Sequence, residues 1–117
     1  MKGYTLITGG GGFIGHHLVK SFGGDRKILV LDNFVRGIPD RLKDCGSNVE
    51  VLKCDITNDK ELRDCTKSID IDCLYHLAAI NGTGNFYKIP IKIIDVGILG
   101  CYNILKLAKD SNVRKCI

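Results

Sequence analysis

The chain has 117 residues, room for one domain with one core but not for a second lobe. Hydrophobic residues make up 44% and charged residues 26%, ordinary for a soluble globular protein. A net charge of +4 comes from 17 basic and 13 acidic residues mixed along the whole chain, so no basic block stands out as a nucleic-acid groove.

Met1-Lys2-Gly3 leads straight into an apolar run, Tyr4 to Thr8, which reads as a first strand with no targeting segment ahead of it. Four consecutive glycines, Gly9 to Gly12, follow, and then a helix-like stretch from Phe13 to Phe22. Gly10, Gly12 and Gly15 satisfy G-x-G-x-x-G, while Gly9, Gly12 and Gly15 satisfy G-x-x-G-x-x-G. Glycines at a strand-to-helix change let the backbone approach a ligand, and the helix start offers unpaired N–H groups to an anion. The lysine and Ser/Thr of a nucleoside-triphosphate loop are missing, because Phe13-Ile14-Gly15 stands in their place, so a dinucleotide is the better ligand. Ile14, Leu18, Val19 and Phe22 form one apolar helix face, closed by Gly23-Gly24. His16 and His17 lie on this helix without a partner that would make a metal set or nucleophile pair.

A second strand, Lys27 to Asp32, ends on a carboxylate that follows Gly15 at close to the ~20-residue spacing of a ribose-binding acid. Asn33 to Gly37 then reads as a loop around the adenosine end of a cofactor. Arg36 raises the question of a 2′-phosphate, but Asp32 would repel that group and bond a free 2′-hydroxyl, which favours NAD over NADP. Pro39 to Leu42 reads as a short helix. Val49 to Cys54 alternates as a third strand ending at Asp55, which is placed to meet an adenine amino group. Asn58 and Glu61 form a capping arrangement for a helix whose buried face is Leu62, Cys65 and Ile69.

The fourth strand is Cys73 to Leu77, with Ala78-Ala79 at its tip, small enough for close passage of a cofactor, and His76 reads as a packed residue. Asn81 to Asn85 is a polar loop. Pro90 opens the longest helix, to about Lys109, with a wide apolar face of Ile91, Ile94, Ile98, Leu99, Tyr102, Leu105 and Ala108. Gly97 and Gly100 inside it each cost about 1 kcal/mol relative to alanine, so both are expected at close approaches. A fifth strand starts at Val113. The six cysteines, Cys45, Cys54, Cys65, Cys73, Cys101 and Cys116, contain no C-x-x-C pair and read as reduced, mostly buried thiols of a cytoplasmic protein, with no metal site. The charge-free apolar stretch Val96 to Leu105 is far short of the ~18 residues of a membrane span.

Thr8 to Gly15, Asp32-Asn33, Asp55-Ile56, His76-Leu77-Ala78-Ala79 and Gly100 to Leu105 resemble the extended short-chain dehydrogenase/reductase family, in its sugar-nucleotide epimerase/dehydratase branch. The resemblance spans the whole chain. It implies an α/β fold, a Rossmann-type doubly wound parallel sheet in order 3-2-1-4-5 that is incomplete at its C-terminal side. It also implies NAD as cofactor and nucleotide-sugar chemistry by transient hydride transfer. By the same match, Gly9, Gly12, Phe13, Ile14 and Gly15 would meet the pyrophosphate and Asp32, Asn33 and Phe34 the adenosine ribose. Asp55 and Ile56 would flank the adenine, and Leu77, Ala78 and Ala79 the nicotinamide side. Gly97 stands where the family usually has Asn and Cys101 where it has Thr. The family's catalytic Ser/Thr and Tyr-x-x-x-Lys would fall beyond Ile117, and Tyr75 and Tyr87 lack a lysine four residues on, so no catalytic residue is expected here. A cofactor-sensing module and one half of a split enzyme are the alternatives. A short fifth strand and an uncovered helix face lead us to expect self-association.

Overall fold

The computed structural model describes residues 3–117. Five strands, β1 (Tyr4–Thr8), β2 (Ile28–Asp32), β3 (Val49–Lys53), β4 (Ile71–His76) and β5 (Lys115–Cys116), form one parallel sheet in the order β3-β2-β1-β4-β5. The helices are α1 (Phe13–Ser21), α2 (Asp59–Thr66), α3 (Thr83–Lys88), α4 (Pro90–Ile94) and α5 (Cys101–Asp110). Pro39–Leu42 is a short 3-10 turn. All-parallel pairing requires a crossover between successive strands, and the crossovers cover both faces.

That covering explains why β1 and β2 are apolar almost without interruption. Leu6, Leu29, Leu31, Ile71 and Leu74 face α2 and α5, together with Ile56, Leu62, Val96, Ile104 and Leu107. Ile7, Ile28 and Val30 face the other way, where Val19 of α1 and Leu42 close over them. At about 25 cal/mol per Å² of apolar surface, these central strands dominate the stabilising side of folding. β3 lies at one edge, and three of its five residues (Glu50, Val51 and Lys53) are exposed.

Three expectations change. Asn81–Asn85 is not wholly a loop: α3 begins at Thr83, following Gly82, whose φ of 107° admits the sharp entry. The long helix is not regular either. Between α4 and α5 the six residues Asp95–Gly100 form a wider π-helical turn. Val96, Gly100, Asn103, Ile104 and Leu107 face inward, while Ile91, Ile94, Ile98, Leu99, Tyr102 and Leu105 are exposed. Finally, β5 has two residues, although bonds from Arg114 N–H to Asp72 O, Ile117 N–H to Leu74 O and His76 N–H to Ile117 O extend the ladder on both sides.

The two helix glycines also part company. A Cβ on Gly100 would come within 2.7 Å of Ile56 Cδ1, the close approach that its presence implied. One on Gly97 would meet nothing within 4 Å, so packing does not require glycine there. Cysteine burial is lower than expected: Cys54 and Cys73 are buried, Cys116 is exposed and the other three are half-buried. Among the described residues no helix is long and apolar enough to cross a membrane.

Candidate cofactor site

The glycine turn lies at the C-terminal end of β1, the central strand, between the ends of β2 and β4. Gly9 has φ of +72°, a left-handed conformation that an L side chain rarely adopts, and its added Cβ would sit 2.7 Å from Ala78 N. The turn closes through Gly12 N–H to Gly9 O at 3.1 Å. A Cβ on Gly15 would run into Gly9 O and would lie 2.7 Å from Gly10 Cα, so helix and turn touch backbone to backbone. Gly12 caps α1 in extended conformation with no side-chain bond, and no acidic residue occupies the first helical turn. The first N–H groups of α1 are therefore left to an anion, at the positive end of the helix dipole. Phe13 and Ile14 are both 69% exposed at this opening. Ile14 thus leaves the apolar face assigned to it, since only Val19 is fully buried there and Leu18 and Phe22 pack beside it.

Asp32 is only 8% exposed, and each carboxylate oxygen accepts one backbone bond: Gly11 N–H donates to Oδ2 at 2.9 Å and Phe34 N–H to Oδ1 at 2.8 Å. It thereby fixes the glycine turn to the end of β2. Asn33 makes a turn of its own, its Oδ1 accepting from Val35 N–H at 3.0 Å. Phe34 has φ of 57°, and its ring packs with the α1-side core. Sequence reasoning missed the next layer. Ile38 N–H at 3.0 Å and Arg41 Nη1 at 3.2 Å both donate to Gly11 O, so the loop after β2 is docked on the glycine turn. Arg36 reaches further, its Nη1 donating to Asn81 O at 2.9 Å. Because β1 lies between β2 and β4, this contact links the loops on either side of the glycine turn.

At β3, burial would raise the Asp55 carboxyl, but the hydroxyl and N–H of Thr57, with the Lys92 charge, outweigh it and hold it below its ordinary value. Asn58 Oδ1 accepts from Glu61 N–H at 3.0 Å, the capping arrangement the spacing implied, and Glu61 bonds Asp55 N–H. The Ile56 side chain is buried in the core beneath Gly100, and its carbonyl accepts from Asn103 Nδ2 at 2.9 Å. Leu77 and Ala78 are half-buried beside Gly9, and Ala79 is exposed. The strand end is held by Thr8, whose Oγ1 accepts from Leu77 N–H at 3.1 Å and Ala78 N–H at 3.2 Å.

A strand-ending acid tied to a glycine turn, with two further strand ends converging on it, is the crevice where doubly wound sheets take nucleotides. A family profile, that of the NAD dependent epimerase/dehydratase family, matches residues 5–117. The chain belongs to the NAD-dependent epimerase/dehydratase family. This epimerase/dehydratase chain is 33% identical over 112 residues to UDP-glucuronic acid decarboxylase 1 of Arabidopsis thaliana, covering 93% of this chain and 24% of the plant protein. It is 30% identical over 113 residues to a putative UDP-glucose 4-epimerase of Methanocaldococcus jannaschii, covering 96% and 36% of the two chains. Epimerase Mth375 of Methanothermobacter thermautotrophicus superposes with a TM-score of 0.88 at 28% identity, over 97% of this chain and 34% of that one. The chain thus spans about a quarter to a third of the length of these relatives. The UDP-glucose 4-epimerase of Thermus thermophilus, solved in complex with NAD, shares the fold with a TM-score of 0.87 at 24% identity, over 97% of this chain and 36% of that one.

Away from this site, a groove of about 290 Å³ lies between α2 and α5, lined by Arg63, Thr66, Lys106 and Asp110 among others. It opens near Asp70 and Ile71, at the opposite end of β4 from the glycine turn, and has no connection to the residues above.

Proposed function

We propose that this chain is the NAD-binding portion of a sugar-nucleotide epimerase/dehydratase-like enzyme that works by transient hydride transfer. The observation that carries the reading is the glycine turn: it packs so tightly that an added Cβ at Gly9 or Gly15 would meet backbone, and it leaves the N-terminus of α1 without a capping side chain. Bound there, NAD would supply a reversible hydride acceptor. Gly9, Gly12 and Gly15 would allow close approach of the pyrophosphate, and the N–H groups at Phe13 and Ile14 would hold it. Asp32 has accepting capacity beyond its two backbone bonds, and it would take the ribose hydroxyls with Asn33 and Phe34 alongside. Asp55 and the Ile56 backbone would flank the adenine. Leu77, Ala78 and Ala79 would line the nicotinamide side, excluding water from it.

No side chain of this chain is assigned to proton transfer, and the nucleotide sugar would be held by the remainder of a longer enzyme. The six free cysteines support a cytoplasmic setting. The exposed stripe from Ile91 to Leu105 supports a homo-oligomer. Sedimentation of the chain with and without Ile98→Glu would test that association, which the charge should weaken.

NADH fluorescence and calorimetry test the cofactor reading. NADH should bind more tightly than NADPH, and Asp32→Ala should weaken NADH and narrow the gap. Gly12→Val should remove both. Tighter binding of NADPH would transfer control of the ribose site from Asp32 to Arg36.

A further inference from the structure

Thr8 and His76 are partners in the β1–β4 register, and between them they link the two strand ends that flank the candidate site. Thr8 is fully buried, and its hydroxyl has three neighbours: Leu77 N–H, Ala78 N–H and the His76 Nδ1, the last at 2.7 Å. A hydroxyl has two lone pairs and one proton. Two N–H groups occupy both lone pairs, which leaves the proton for His76 Nδ1. In that arrangement the nitrogen accepts, and the imidazole is neutral with its proton on Nε2. An imidazolium would place a third donor against two lone pairs and strand the hydroxyl proton. Burial acts in the same direction, pushing the imidazole below its ordinary value.

The two amides do not depend on the hydroxyl equally. Leu77 N–H also reaches Thr8 O at 3.1 Å, whereas Ala78 N–H donates to the Thr8 hydroxyl. Ala78 N is also the atom against which Gly9 is packed so closely that no Cβ fits. The Thr8 hydroxyl therefore bonds the turn after β4 at the atom against which the turn after β1 is packed.

We propose that His76 is a positioning residue, a neutral acceptor that orients the Thr8 hydroxyl so that it holds the Ala78 turn against Gly9. The inference rests on the cofactor reading only for its consequence, tighter cofactor binding; the relay itself is a property of the protein alone.

Long-range proton–nitrogen NMR of the chain's three histidines tests the relay without cofactor. His76 should carry its proton on Nε2 and titrate below the ordinary imidazole value. Thr8→Val, which keeps the shape and removes the hydroxyl donor to Nδ1, should raise the His76 pKa, and Thr8→Ser should restore it. His76→Asn places a carbonyl oxygen where Nδ1 stands and should preserve NADH affinity, whereas His76→Leu should weaken it about tenfold. A proton on Nδ1, or a His76 titration unmoved by Thr8→Val, would overturn the relay. Equal NADH affinity in His76→Leu and the parent would overturn the positioning role. Failure of the parent itself to bind NADH, with the tautomer as expected, would count against the cofactor reading alone.

Discussion

Two apolar regions of comparable sequence character meet opposite fates in this molecule. The glycine-turn region, β1 and β2 with the turn that leads into α1, is closed on itself. Its strands are buried and the Asp32 carboxylate is bonded to the turn. The second region, α3 to α5, presents its inward residues to the sheet and leaves a row of isoleucine, leucine and tyrosine side chains exposed. Backbone contact is the difference. An added Cβ would run into backbone at Gly9 and Gly15, whereas at Gly97 it would meet nothing within 4 Å. Glycine content alone would have treated these regions alike.

The most severe way to break the first region is Gly15→Val. Its Cβ would meet the backbone of Gly9 and Gly10, which cannot yield as a side-chain tip can. We expect loss of cooperative thermal unfolding, read by circular dichroism. A sharp parent-like melt would mean that turn and helix are not packed backbone to backbone.

A paired truncation within α5 sharpens the contrast. Leu107 is 8% exposed and Leu105 57%. Leu107→Ala should cost about 2–4 kcal/mol in urea unfolding, by lost burial and the cavity left behind. Leu105→Ala should stay within about 0.5 kcal/mol in a monomer. Equal costs would show that the outer stripe is covered in solution.

Smaller still is Gly97→Ala. Nothing obstructs the added methyl, so the chain should gain up to about 1 kcal/mol from the reduced entropy cost of helix. Gly100→Ala, further along the same helical stretch, should destabilise instead, because Ile56 Cδ1 must move. A destabilising Gly97→Ala would point to a need for glycine in the π-helical turn itself.

The smallest effect concerns pH at the β4–β5 edge. The Arg114 side chain, bonding both carboxylate oxygens, and the Cys73 thiol hold Asp72 down to about 2, against an ordinary value of 3.8. A lowered carboxylate pKa adds stability above the ordinary value and loses it as pH falls through the folded one. Hydrogen exchange at Ile117 N–H should therefore quicken as the pH drops from 3.8 toward about 2, beyond the intrinsic change, and Asp72→Asn should remove that extra dependence. The pair is exposed to solvent, so added salt should blunt the effect.

Much of this protein was legible in its residues because the signals are local. Glycine permits φ near +72° at Gly9, Asn58 can reach Glu61 N–H three residues on, and Pro90 can open a helix without losing a bond. Strand runs and the acid at Asp32 follow the same short-range logic. Periodicity counts apolar residues without knowing what lies opposite them, so it could not say that the stripe from Ile91 to Leu105 faces outward. A π-helical turn at Asp95–Gly100 interrupts the helix, and no periodicity in the residues marks it. The family resemblance set Ile56 beside the adenine without saying where its side chain goes, and the sheet puts that side chain in the core. The Thr8–His76 pair, 68 positions apart, exists only because β1 and β4 lie side by side in register. Local chemistry, then, was written in the sequence; which atoms share a lone pair depended on strand order, because long-range hydrogen bonds need the tertiary fold to bring donor and acceptor together.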